Sequence, residues 1–225
     1  MEALQYIFTS WKNGNLPDKG YMIYSKSEGI TEAECDDIKK IMRYTSPRDM
    51  KVNPTAEEIQ EDFPFSFAYF RLTSGRHCIA QSTYLGKDYS GRFGNYIIYA
   101  LVFQADELED YPTGFFGEDF IKTSMTNEEL EAEPPIPPLP PLQINETGSI
   151  VNLDSVLDFA MDQGDNISIV ISSILEAKQR GIPFFINDIR ENLVMWCALV
   201  QNALPQKNAQ VRLTSEILSK ERRLR

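Results

Sequence analysis

The sequence is poor in the residue types on which many catalytic and metal sites depend. Among its 225 residues there is one histidine, His77, and the three cysteines, Cys35, Cys78 and Cys197, lie far apart. It contains no CxxC pair and no cluster of cysteine and histidine, so neither a zinc site nor a disulfide framework is predicted. A single histidine excludes hydrolysis by a metal ion bound to clustered histidines. We expect no metal and no cofactor.

A nucleophilic site built on His77 is also disfavoured. His77 and Cys78 are adjacent in a predicted strand, where neighbouring side chains point to opposite faces. A serine-histidine-aspartate triad would need the same histidine, and the GxSxG nucleophile elbow is absent. The sequence therefore predicts no catalytic residue, and we interpret His77 as a structural histidine.

Positive charge is scarce as well, since 22 lysines and arginines stand against 33 aspartates and glutamates and the formal net charge is −11. A field of this sign repels nucleic acid and anionic membranes, so neither is expected as a partner. No run approaches the roughly 20 apolar residues of a membrane span. The first residues lack the basic and apolar segments of a secretory signal. We therefore expect a cytoplasmic protein.

Strand and helix signals follow one another through the first hundred residues. Strand patterns at 5–11 and 20–24 predict a hairpin, and Thr31 with Glu34 has the spacing of a capping box at the start of a helix. Further strands are predicted at 63–72, 76–84 and 96–103. Together these signals predict an α+β fold, with a mostly antiparallel sheet packed by one main helix.

A change of composition predicts where this first domain ends. Between Asp106 and Glu133, Lys122 is the only basic residue, and six prolines then occupy the eight positions from Pro134 to Pro141. Such a run favours a polyproline II rod. We interpret it as a stiff linker rather than a PxxP ligand, because no basic residue flanks it closely. The predicted divisions are an N-terminal domain at 1–133, a proline-rich linker at 134–149 and a C-terminal unit at 150–225.

The C-terminal unit is predicted to be smaller, mainly helical and incomplete. Helix patterns cover 154–161, 165–180 and 188–204. Short strand patterns at 182–186 and 209–213 flank the last helix. Strand, helix and strand in this order would form a βαβ element.

The loop from Gly86 to Asn95 carries the most chemistry. Its glycines permit tight turns and the close approach of a ligand. Arg92 would bind a phosphate or carboxylate through two hydrogen bonds, or would pair with Asp88 and tie the loop down. The loop matches neither the Walker A pattern nor GxGxxG. From the spacing, a structural loop, a binding site and a catalytic site all stay open. The candidate binding residues are Asp88, Tyr89, Arg92, Gly94 and Asn95.

The same loop resembles part of a known family. The segment Asp88-Tyr89-Ser90-Gly91-Arg92-Phe93-Gly94-Asn95-Tyr96, continuing to Ala100-Leu101-Val102, resembles the N-terminal domain of bacterial GTPase-associated proteins. Residues 5–10 and 20–30 are similar to that domain, and the proline-rich end extends the resemblance over roughly residues 4 to 141. Residues 181–188, with Trp196 and 204–205, are similar to the start of the family's middle domain.

The resemblance implies a part in GTPase-centred conflict, or defence, systems, with no settled enzymatic activity. Our leading hypothesis is a non-catalytic interaction or adaptor module that docks a protein partner, such as a GTPase, through the sheet and this loop. The alternative is a small-molecule or nucleotide-binding enzyme in which Arg92 holds an anion and Asp88 or Tyr89 handles a proton. A toxin-like effector held inactive by further domains is a third hypothesis. Family members are much longer, which implies that the chain is a fragment, a truncated version or one stand-alone part.

Overall fold

The computed structural model describes residues 1–13, 20–45, 51, 53–63, 65–108, 111–148, 151–181, 186, 188, 190–203 and 212–214. The strands within these ranges are β1 (Glu2–Ser10), β2 (Tyr21–Lys26), β3 (Phe65–Arg71), β4 (His77–Lys87), β5 (Phe93–Phe103), β6 (Leu142–Gln143) and β7 (Arg212–Thr214). The helices are α1 (Glu32–Met42), α2 (Ala56–Asp62), α3 (Asn127–Glu131), α4 (Leu153–Gln163), α5 (Asn166–Arg180) and α6 (Arg190–Ala203).

The strands form one antiparallel sheet in the order β2-β1-β5-β4-β3-β7, and β6 pairs with the start of β1. β5 lies inside the sheet, and its residues 97–103 are all buried. A nearly continuous apolar run is typical of a strand that is covered on both faces. The predicted α+β fold with a mostly antiparallel sheet is therefore confirmed.

One face of the sheet is covered by α1, whose predicted capping box is present. Thr31 Oγ1 accepts a hydrogen bond from Glu34 N at 3.3 Å, and the Glu34 carboxylate accepts one from Thr31 N at 2.9 Å. Three alanines stand in register across β3, β4 and β5 beneath this helix, namely Ala68, Ala80 and Ala100. Their small side chains leave room for the helix to lie close to the sheet.

The C-terminal helices belong to the apolar core on the opposite face. Val156 of α4 and Leu199 of α6 share one cluster with Phe67 and Leu101 of the sheet. α4 and α6 are joined by a T-shaped ring contact between Phe159 and Trp196, with centroids 5.1 Å apart. The three predicted C-terminal helices are confirmed, with ends shifted by a few residues.

Only part of the predicted βαβ element falls on described residues. Its first strand, at 182–186, lies outside them except for residue 186, which is in no strand. At its other end, β7 pairs antiparallel to β3. The βαβ element therefore stays a prediction, as do the domain boundaries at 133 and 150.

The proline-rich segment runs beside β1 and β2. Its six prolines are exposed, whereas every third residue is half-buried. The half-buried residues are Ile136, Leu139 and Leu142. This period is that of a polyproline II helix, which has three residues per turn. Ser25 Oγ donates to Pro137 O and Gln5 Nε2 donates to Pro140 O, both at 2.7 Å, so the segment is bonded to the sheet.

A buried ion pair links α1 to the turn between β3 and β4. Glu34 has no exposed surface, and its carboxylate accepts hydrogen bonds from Arg76 Nε at 2.7 Å, from Arg76 Nη2 and from Ser74 Oγ at 2.6 Å. Burial raises the pKa of Glu34, but the hydrogen bonds from Arg76, Ser74 and Thr31 outweigh it and lower the pKa to about 2. The folded state therefore holds this carboxyl group in its ionised form.

We expect acid to weaken the fold through Glu34. Its pKa is about 2 in the folded chain against an ordinary 4.5. The stabilisation is therefore fully present above about pH 5 and is lost as the pH falls toward 2. The shift corresponds to about 3 kcal/mol. In urea unfolding from pH 6 to pH 2, the free energy of unfolding should fall by about 3 kcal/mol less in Glu34→Gln than in the native chain. An equal fall in both chains would contradict this role.

Candidate functional site

The loop between β4 and β5 is organised around the carboxylate of Asp88. This group accepts hydrogen bonds from Ser90 N at 2.8 Å, from Ser90 Oγ at 2.7 Å and from Arg92 N at 3.1 Å. It also accepts from Arg92 Nε at 3.1 Å and from Arg92 Nη2 at 2.9 Å. A backbone bond from Asp88 N to Arg92 O, 2.8 Å long, closes the turn. The structure thus brings Asp88 and Arg92 together.

These contacts set the charge of Asp88. Burial raises the pKa of this carboxyl group, but the hydrogen bonds from Ser90 and Arg92 outweigh the effect and leave the pKa below its ordinary value. At neutral pH the group is ionised, and both of its oxygens accept hydrogen bonds. Asp88 is therefore occupied in holding the loop.

Asn95 lies at the base of the loop and is only 2% exposed. Its Oδ1 accepts from Ser10 N and from Thr9 Oγ1, both at 3.2 Å, and its Nδ2 donates to Ser10 O at 3.4 Å. The side chain therefore joins β5 to the end of β1. Asn95 supports the loop from below and presents no side chain to the surface.

The other three candidate residues lie nearer the surface. The Arg92 side chain is 63% exposed, and Tyr89 is half-buried. Gly94 has a φ of 116°, a left-handed conformation that residues with side chains rarely adopt, and a Cβ at this position would have no atom within 4 Å of it. Backbone conformation, rather than lack of space, therefore favours glycine at this position.

A row of aromatic rings, which was not predicted from the sequence, lies beside the loop. Tyr21 stacks on Tyr96 with ring centroids 4.6 Å apart, and Tyr96 stacks on Tyr44 at 5.6 Å. Tyr44 contacts Tyr84 at 5.7 Å, and Tyr84 stacks on Phe63 at 4.2 Å. The five rings come from separate parts of the chain. No local sequence pattern could have identified the row.

Tyr21 connects this row to the loop. Tyr21 is 39% exposed, and its hydroxyl group donates a hydrogen bond to the carbonyl of Gly94. Burial raises the pKa of both Tyr21 and Tyr44, so their phenols stay protonated at neutral pH. Among the described residues, the buried hydroxyl of Tyr44 has no hydrogen-bond partner. The row thus places an amphipathic ring, that of Tyr21, next to Gly94.

His77 has a partner of its own in the sheet. Its Nδ1 lies 2.5 Å from the hydroxyl oxygen of Tyr69, and burial together with the charge of Arg71 lowers its pKa. Cys78 is buried in the cluster beneath α1, whereas Tyr69 belongs to the core on the other face. Adjacent residues of a strand point to opposite faces of the sheet. The side chains of His77 and Cys78 are therefore separated and do not form a nucleophilic pair.

The described part of the chain contains neither a metal-binding cluster nor a membrane-spanning helix. No group of three or more histidine, cysteine, aspartate and glutamate side chains is placed there to hold a metal ion. In the same residues, no helix is both long enough and apolar enough to cross a membrane.

A family model described as GTPase-associated protein 1, N-terminal domain type 2, matches residues 2–141. The match runs from β1 to the end of the proline run and includes the Gly86–Asn95 loop. It confirms the resemblance that the loop sequence indicated. No curated protein and no solved structure matches the chain.

Within the loop, Asn95 has a structural role, whereas Arg92 lies at the surface. Asn95→Ala should lower the free energy of unfolding by about 2 kcal/mol, because the buried backbone amide of Ser10 loses its hydrogen-bond acceptor. Arg92→Ala should lower it by less than about 1 kcal/mol, because the Arg92 side chain is largely exposed. Urea unfolding of both variants at pH 7 measures the difference. A larger loss in Arg92→Ala than in Asn95→Ala would contradict this division.

Proposed function

Because the chain belongs to the family of GTPase-associated protein 1 N-terminal domains of type 2, we propose that it is a non-catalytic interaction or adaptor module of a bacterial conflict system. The proposed partner is a GTPase, and the proposed location is the cytoplasm. The family match over residues 2–141 is the observation that carries the proposal. It supports association with a GTPase system, and the surface of the loop supports a docking role.

The proposed docking surface is the loop face, which we define as Tyr21, Tyr89, Arg92, Gly94 and Tyr96. Tyrosine and arginine are enriched among the residues that dominate binding energy in protein interfaces. A tyrosine ring contributes a large contact area and has few torsion angles to immobilise. Tyr21 is already stacked on Tyr96 and bonded to Gly94, so little of its freedom remains to be lost.

The loop face is organised before any partner binds. The hydrogen bonds to Asp88 fix the turn, and Asn95 fixes its base to β1. Pre-organisation of this kind lowers the entropy cost of association. Arg92 uses Nε and Nη2 for Asp88, which leaves Nη1 to donate to a carboxylate or carbonyl group of the partner.

The electrostatics of the loop favour binding over proton transfer. A general base works best when its pKa lies near the operating pH. The pKa of Asp88 is below its ordinary value, and the carboxylate is engaged by Ser90 and Arg92. Asp88 is therefore a poor proton acceptor at neutral pH. Its hydrogen bonds with Arg92 hold the Arg92 side chain in place, which suits a docking surface.

The docking role is tested by affinity capture from a lysate of the source cells, with captured proteins identified by mass spectrometry. The native chain is compared with Arg92→Glu and with a matched control, Arg180→Glu. Arg180 also pairs with an acid four residues away, Glu176, and is 66% exposed against 63% for Arg92. We expect a GTPase on the native and control chains and about tenfold less of it on Arg92→Glu, which is about 1.4 kcal/mol.

Two other outcomes would contradict the proposal. A GTPase retained equally by Arg92→Glu would remove the loop face as the docking surface, and no GTPase on any of the three chains would remove the adaptor role.

Thermal unfolding of each chain with GTP, GDP and ATP tests the enzyme alternative. A ligand present at about 100 times its dissociation constant stabilises a protein by about 2.7 kcal/mol. Stabilisation of the native chain by a nucleotide, lost in Arg92→Glu, would favour the enzyme.

A further inference from the structure

A second surface, on the helices that follow the proline-rich segment, concentrates exposed apolar side chains. The described residues include six large hydrophobic side chains that are exposed, and five of these lie on α4 and α5. They are Leu153 (59%), Leu157 (52%), Met161 (74%), Ile169 (62%) and Leu175 (44%). Single exposed apolar residues are normal on protein surfaces, whereas a contiguous group marks a binding surface.

The exposed residues of α4 form an ordered stripe. Leu153, Leu157 and Met161 recur every four residues, so they lie on one face of the helix. An exposed aspartate follows each of them by one position, which creates a parallel acidic row. The row consists of Asp154, Asp158 and Asp162. We call the two rows together the acid-flanked stripe.

The remaining face of α4 is anchored to the core and leaves the stripe on the surface. Val156 is buried, and the ring of Phe159 packs edge-on against Trp196 of α6. Ala160 also packs against the apolar core on the face of the sheet opposite α1. Rotation of α4 to bury Leu157 and its neighbours would pull these residues out of the core.

The stripe and its acidic row form an open, shallow surface on α4. This surface includes the apolar side chains of Leu157, Ala160 and Met161 beside the carboxylates of Asp154 and Asp158. Residues 153–165 contain four aspartates and no lysine or arginine. None of the ion pairs in the described ranges uses an aspartate of the acidic row. A basic partner would complement this exposed acidic row.

We propose that the acid-flanked stripe binds a basic amphipathic helix of a partner protein. The apolar side of such a helix packs on Leu153, Leu157 and Met161, and its lysines and arginines pair with the acidic row. A second copy of this chain suits the surface less well, because the contact would bring two rows of aspartates together. This site is independent of the loop face and of the GTPase proposed to dock there.

The test uses a fluorescein-labelled 18-residue peptide of leucine and lysine, with leucines at helical i, i+3, i+4 and i+7 spacing. Fluorescence anisotropy measures its affinity for the full chain at low and high salt. Leu157→Ser/Met161→Ser should weaken binding at least about tenfold, because two buried apolar contacts are lost. Asp154→Asn/Asp158→Asn should weaken binding and flatten its salt dependence.

A matched control separates a specific site from general attraction to an acidic protein. Asp106→Asn/Asp119→Asn removes the same charge from two exposed aspartates outside the stripe. We expect this control to bind the peptide as the native chain does, with all variants equally stable in thermal unfolding. Equal weakening by the control and the Asp154/Asp158 pair would overturn the proposal, as would undiminished binding by Leu157→Ser/Met161→Ser. A native dimer in sedimentation equilibrium that the serine variant abolishes would also overturn it, because the occupant would then be a second copy.

Discussion

The position of α1 depends on one buried carboxylate that serves two parts of the chain. Glu34 closes the capping box with Thr31 at the start of the helix and also binds Arg76 and Ser74 in the turn between β3 and β4. Loss of one partner from a buried ion pair costs about 3–5 kcal/mol, because the remaining charge stays buried without compensation. The close contact of α1 with the row of alanines therefore depends on an interaction at the end of the helix, not only on apolar packing.

The sheet that α1 covers also organises the two proposed binding surfaces. Tyr96 of the loop face packs with the cluster beneath α1, whereas Val156 of α4 belongs to the core on the opposite face. A module with one surface on each side of a sheet is able to hold two partners at once. This arrangement suits an adaptor better than a single deep pocket would, and the acid-flanked stripe extends the proposed role without altering the loop face.

The features that the sequence predicted correctly depend on residues close together in the chain. The hairpin, the capping box at Thr31, the opposite faces of His77 and Cys78, and the proximity of Asp88 to Arg92 follow from strand alternation, turn geometry and spacing of three or four residues. Further helix starts were detectable but not predicted. α2 and α3 begin with the same capping-box signal as α1, at Thr55 with Glu58 and at Thr126 with Glu129.

By itself, the sequence determined the element types, the antiparallel α+β class, the acidic character and the family resemblance. Each of these depends on composition, local periodicity or a continuous motif. Only the tertiary structure decided that Glu34 meets Arg76, 42 positions away, that Asn95 bonds to Ser10, and that five aromatic rings from separate segments pack in a row. It also decided which face of α4 stays exposed. These are non-local contacts, and their partners follow from the order of strands in the sheet, which no local pattern specifies.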